Sequence, residues 1–157
     1  MKKLFGFVSI ALLLVACGGE SEESSGEETT EATAEHKYFI KVNLGGEKHL
    51  SFGDEEKDCD FGGDAFAGEA NFGVHHGHLT IYDDFFEVSE TDPEATVGKT
   101  YEAVIDIDGT TTHGKVNIKE ANKGSEADDL VNWDIGGLFK SDAGDKGEFY
   151  LSMPVFK

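Results

Sequence analysis

Between residues 101 and 107, apolar side chains occupy every second position: Tyr101, Ala103, Ile105 and Ile107, with Glu102, Val104 and Asp106 between them. Successive side chains of an extended strand point to opposite faces, so this spacing gives one face to a core and leaves the other for water. The same period of two returns in Tyr38, Ile40, Val42 and Leu44, in Val116 and Ile118, in Val131, Trp133 and Ile135, and in Phe149, Leu151, Met153 and Val155. From His36 onward no stretch sustains a helical apolar period, and clusters of Gly, Asp and Asn interrupt the runs about every ten residues. Short alternating strands at that spacing predict an all-β domain, an antiparallel β-sandwich or a lipocalin-like barrel of about eight or nine strands.

The turn signals order these strands. Gly45-Gly46 predicts a hairpin between the first strand and Lys48 to Phe52, and Asp108-Gly109 predicts another into a strand over 112–119. The stretch 53–63 reads as an acidic loop, 64–71 and 74–82 as strands, and 85–88 as a short strand that puts Phe85 and Phe86 on opposite faces. Pro93 and Gly98 mark a long connection, and the polar stretch 121–129 reads as a loop with room for one helical turn. A last hairpin joins 130–139 to 149–156.

The first 35 residues are of a different kind. Lys2 and Lys3 precede an apolar run from Leu4 to Ala16 broken only by Gly6 and Ser9, the layout of a secretory leader. It falls short of the about 20 apolar residues that a membrane-spanning helix needs. It closes on Leu14-Val15-Ala16-Cys17, which resembles the lipobox of bacterial lipoproteins. The resemblance implies cleavage before Cys17, a diacylglyceryl group on its thiol, and a place in the bacterial cell envelope, lipid-anchored at the outer membrane. The mature chain then begins with a lipidated Cys17 and a linker to Glu35, and residues 36–157 form the domain.

Residues 18–35 contain seven glutamates, no basic residue and no aromatic, a composition that predicts a disordered, self-repelling linker. Fully extended, these 18 residues reach roughly 60 Å from the lipid. An acidic tract directly after the lipidated cysteine also resembles the signal by which some Gram-negative bacteria place lipoproteins on the outer face of the outer membrane; a plain spacer is the other reading.

From Gly98 onward, Gly-Lys-Thr-Tyr, a hairpin, Gly-Lys-Val-Asn-Ile, Trp-Asp-Ile-Gly-Gly-Leu-Phe and a closing Gly-Glu-Phe strand follow one another in an order that resembles small β-sandwich lipoproteins of Gram-negative bacteria. Those motifs are turn and core residues. They imply a fold and carry no active site.

Residues 36–157 hold 25 acidic and 11 basic residues, a formal charge of −14, and every basic residue is lysine. Without arginine the planar fork that grips phosphates, carboxylates and guanine edges is missing, which argues against nucleic acid, nucleotides and anionic headgroups. Such acidity suits cations, a neutral ligand such as a glycan, an envelope protein, or solubility alone. Cys59 is the one cysteine of the domain, so no disulfide within it is expected, and the flanking Asp58 and Asp60 are expected to make its thiol a poor nucleophile; the chain is also expected to be a monomer.

No nucleophile elbow, phosphate loop, His-Glu-x-x-His or Cys-x-x-Cys occurs, which disfavours an enzyme. Two constellations point to metal. Asp58, Asp60 and Asp64, with glycines between, offer oxygens for Ca²⁺, although the ligand ladder of an EF-hand is absent, and Asp106 and Asp108 echo them weakly. His76 and His78 share one face of an extended strand and would hold a transition metal given a third ligand such as His49 or His113. A solvated acidic loop and ordinary surface histidines explain the same residues. The function expected is that of an anchored binding or structural module, then a calcium- or transition-metal-binding protein, then an envelope enzyme.

Overall fold

A computed structural model describes residues 36–157. The chain runs through β1 (Tyr38–Leu44), β2 (Glu47–Gly53), a 3-10 turn (Glu56–Asp58), β3 (Cys59–Asp64), β4 (Glu69–Val74), β5 (Gly77–Ile81), α1 (Phe85–Thr91), a second 3-10 turn (Pro93–Thr96), β6 (Thr100–Ile107), β7 (Thr110–Ala127), β8 (Leu130–Ser141) and β9 (Lys146–Phe156). All nine strands belong to one antiparallel sheet in the order β2-β1-β9-β8-β7-β6-β5-β4-β3. The sheet curls into a nearly closed barrel, with β3 coming to lie beside β9, where the Ser152 backbone hydrogen-bonds to Cys59. Of the two architectures that the alternation left open, the barrel is the one formed.

Hairpin chemistry sets the registers. Gly45 and Gly46 take φ of 57° and 90°, which only glycine adopts freely, and so close Leu44 onto Glu47. Asp108 and Gly109, at φ 52° and 78°, close Ile107 onto Thr110 in the same way. Each register then carries one parity of every strand inward. Ile40, Val42, Phe72, Leu79, Ile105 and Leu151 are among the residues of a single buried cluster, and each large side chain taken from water contributes about 1.5–3 kcal/mol.

Three stretches depart from the alternation reading. Residues 85–88 form the start of α1 instead of a strand, and Phe85 and Phe86 are both buried, at 0% and 8% exposure. Phe85, Phe86 and Ser89 make the one-sided stripe of a helix too short to show a period in sequence. The acidic stretch 53–63 is a loop only as far as the 3-10 turn; from Cys59 it is β3, and the chain turns at 65–68 before β4 begins at Glu69. The polar stretch 121–129 continues β7 to Ala127, paired with β8 through two register shifts. Its side chains are mostly exposed, so no alternation marks it.

Candidate functional site

The outward face of β7, β8 and β9 gathers charge of the minority sign. Lys115 stands directly opposite Lys140 in the β7–β8 ladder, and Lys140 stands directly opposite Lys146 in the β8–β9 ladder. Directly opposed residues of antiparallel strands have Cα atoms about 4.5–5.5 Å apart, and like charges at that spacing oppose pairing. Lys115 is relieved by Glu102 on β6, at 2.5 Å, and that hydrogen bond is the main reason its ammonium is held above the usual lysine value. Lys140 and Lys146 make no ion pair among the described residues. All three side chains are exposed.

One residue row away, Leu138 is 49% exposed between Asn117 and Glu148. It is shared by three shallow clefts of about 340, 510 and 430 Å³. The first adds Lys37, Lys119, Glu120, Glu148 and Tyr150, the second Lys41, Asp145, Lys146 and Glu148, and the third, which has no carboxylate, Lys115, Lys140 and Lys146. Six of the 11 lysines of residues 36–157 thus ring one exposed leucine on a domain of charge −14. Lys41 is itself buried beside the Glu148 carboxylate, 3.1 Å away. Glycine keeps the floor flat. A Cβ on Gly136, on the same parity as Leu138, would come within 2.8 Å of the Tyr150 ring, while one on Gly137 would point inward, 2.8 Å from the Phe149 ring and 2.6 Å from the Asn117 carbonyl oxygen.

The residues singled out for metal do not converge. The Asp58 carboxylate accepts the backbone N–H groups of Asp54 and Glu55 at 2.9 and 3.0 Å, and these bonds hold it below the usual carboxylate range. Asp64 likewise accepts from Phe66 and Ala67 at 2.9 and 3.2 Å, fastening the turn into β4. Asp60 and Asp64 stand four residues apart along β3, about 13 Å. His75 and His76 form the β4–β5 turn, while His78 is on β5 opposite Gly73 and Asp106. His76 and His78 therefore do not share a strand face. His113 lies on β7, with β6 between it and β5, and His49 pairs with Val42 on β1. Asp108 occupies the β6–β7 turn, and Asp106 accepts the Thr111 hydroxyl at 2.6 Å. Among the described residues, no group of three or more His, Cys, Asp or Glu is placed to hold a metal ion. Cys17 lies outside the described residues.

The Cys59 thiol is partly buried and free, with its pKa raised to about 11. Burial is the first cause; the Ser152 backbone bond opposes it, and the charges of Asp58, Asp134 and Asp60 add less. The flanking carboxylates expected to dominate are secondary. Among the described residues no helix is long and apolar enough to cross a membrane.

Sequence reasoning missed the lysine row because composition averages over it. Its signal is present only jointly, in the outward parity of Lys115 beside Val116, the outward parity of Lys140 beside Phe139, and the two hairpin registers that bring 115, 140 and 146 level. No protein-family profile, curated protein or solved structure matches the chain.

Proposed function

We propose that this chain is a lipid-anchored binding module of the bacterial cell envelope, held at the outer membrane through Cys17, and that it takes an anionic, chain-like ligand on the outer face of β7, β8 and β9. The observation that carries this reading is the opposed row Lys115, Lys140 and Lys146. Opposed like charges cost a sheet roughly 0.2–1 kcal/mol per pair, and the carboxylates of so acidic a domain are abundant enough to neutralise them, yet Lys140 and Lys146 face water. A row of ammonium groups beside Leu138 suits a ligand that brings repeated negative charge and some apolar surface. Lysine binds such charge as a point cation and needs no planar fork. The barrel interior favours the outer surface as well, since Phe72, Phe85, Phe139 and Leu151 fill it. Binding, rather than catalysis, is what this face supports.

Dextran sulfate is a suitable probe, with neutral dextran as the control. Binding of the sulfated polymer, weakened roughly ten-fold by Lys140→Gln/Lys146→Gln and by added salt, is the expected result. Equal binding of both polymers, or an unchanged affinity in the double variant, overturns the ligand reading. The anchor is tested separately. Labelled palmitate marks the wild-type chain and not Cys17→Ser, because a hydroxyl does not replace the thiol in the thioether; labelling of the serine variant refutes the anchor.

A further inference from the structure

We propose that the cleft between β3 and the C-terminal end of β9 is a second binding site, and that it takes a protonated amine carried on an apolar body. It lies at the far end of β9 from the lysine row, ten residues from Lys146 to Phe156 or roughly 33 Å, so it stands or falls apart from that row.

The sheet leaves this cleft open. β1 pairs with β9 only from Gly147 to Tyr150, and β3, at the edge of the sheet, pairs only with β4. β3 meets β9 at Ser152, whose backbone N–H bonds to the Cys59 sulfur; beyond that point a cleft of about 580 Å³ separates Phe61 to Gly63 from Pro154 to Phe156. Its walls are aromatic. The Phe61 and Phe86 rings lie nearly parallel with centroids 6.2 Å apart, and Gly63 makes room for this, because a Cβ there would overlap the Phe86 ring. Phe156 is 80% exposed, so a third ring faces water at the mouth.

The polar lining is almost entirely acceptor. In an antiparallel strand the N–H and C=O of one residue point to the same side, and the side alternates along the chain. The Ser152 N–H faces β3, and the β8–β9 register runs unbroken from Lys146 to Phe156, so the backbone groups of Pro154 and Phe156 face the cleft as well. Proline has no N–H, and the edge therefore offers two carbonyls against one donor. Glu90 adds a carboxylate with no ion pair among the described residues. No lysine is among the described residues that line the cleft; Lys157, next in the chain after Phe156, is held by the Glu126 carboxylate at 3.4 Å and the Asp128 carbonyl at 2.9 Å. A neutral hydrocarbon would bury these acceptors unmet, and an anion would face only oxygen and negative charge. A protonated amine donates to the carbonyls, pairs with Glu90 and lays its body against rings whose faces attract a cation. Acids on the bordering elements, Asp64 on β3, Glu87 on α1 and Asp129 just before β8, raise the local concentration of cations.

Three probes that share one phenyl body test this: 2-phenylethylamine, 2-phenylethanol and phenylacetate. Each is titrated at neutral pH into the full chain in a nonionic detergent, followed by amide NMR shifts and corrected for uptake by empty micelles. The amine is expected to shift β3, α1 and residues 152–156 saturably, with an affinity at least about five-fold above that of the alcohol, and phenylacetate to give no saturable shift. Glu90→Gln should bring the amine down to the level of the alcohol, and Phe156→Ala should weaken both. Both side chains are exposed, so neither change threatens the fold. Equal affinities for amine and alcohol, amine shifts scattered over the acidic surface, or an unchanged amine affinity in Glu90→Gln overturn the proposal.

Discussion

The Tyr38 hydroxyl donates to the Asp134 carboxylate across 3.0 Å, joining two buried side chains 96 residues apart. Around them Lys37 lies 3.8 Å from Asp134, and Glu56 accepts from Ser125 and Asn132 at 2.6 and 2.7 Å. The network ties β1 and the first 3-10 turn to the β7–β8 ribbon. Burial, and then the charge and hydrogen bond of Asp134, push the Tyr38 phenol far above its ordinary value, so it remains a donor at every working pH. Tyr38→Phe removes that donor and leaves a buried carboxylate short of a partner. A loss of about 1–3 kcal/mol is expected, read from the urea midpoint. An unchanged midpoint would mean that water or Lys37 serves Asp134 equally well.

Tyr101 is the opposite case. It is 2% exposed and its ring meets Phe85 edge-on at 5.1 Å, but its hydroxyl has no partner among the described residues. Tyr101→Phe keeps the ring contact and discards a desolvated polar group. The variant should match the wild type or gain up to about 1 kcal/mol. A clear loss in thermal melting would reveal a partner for that hydroxyl.

Alkali should weaken the fold. The Cys59 thiol stays protonated to about 11 in the folded chain, from an ordinary value of 9.0, and the Tyr101 phenol to about 12 from 10.0, both chiefly through burial. Between the unfolded and folded values the unfolded chain has released these protons and the folded one has not. Stability therefore falls as pH rises from about 9 to 12, and Cys59→Ala removes the part of that fall between about 9 and 11. Urea titrations at stepped pH measure it. The same protonation predicts slow alkylation of Cys59 by iodoacetamide at about pH 8 in the folded chain and rapid alkylation in urea.

Gly137→Ala should be costly although it adds one methyl group. The new Cβ would sit 2.6 Å from the Asn117 carbonyl oxygen and 2.8 Å from the Phe149 ring, so β7 and β8 would have to part. We expect a loss of more than about 2 kcal/mol in chemical denaturation, with dextran sulfate binding reduced in whatever folds. A variant as stable as the wild type would contradict the close approach of the two strands.

What could be read from the sequence follows from how many faces a segment buries. Tyr101, Ala103, Ile105 and Ile107 alternate because β6 has one wet face, and the same holds for Phe149, Leu151, Met153 and Val155 on β9. α1 was hidden because its seven residues give a single buried stripe, and two adjacent phenylalanines fit an extended chain as readily. The far end of β7 was hidden for the reverse reason, since Lys119, Glu120 and Asn122 to Lys123 are exposed and leave no period. The lysine row depends on the registers of successive hairpins, and a shift of one residue in either would break it. Single-strand patterns do not contain that information. The metal readings of Asp58 and Asp64 turned on the same blindness, because turn-forming carboxylates and cation-binding ones share a local spelling.

The place of β1 in the sheet has a mechanical consequence. It is the first strand after residues 18–35, and it is flanked by β2 on one side and by β9 on the other, with four pairs from Phe39↔Tyr150 to Val42↔Gly147 on the β9 side. A pull arriving from the N-terminal side enters at Tyr38 and runs along β1, parallel to the strand. A ladder drawn lengthwise must slide, with all its rungs strained together, whereas one drawn sideways opens rung by rung. If a load is applied between the N-terminal side and the face of β7, β8 and β9, the first parts to bear the tension are this sliding ladder and the Tyr38–Asp134 bond beside it. The domain is then built to resist a pull along β1 better than heat or urea titrations would suggest.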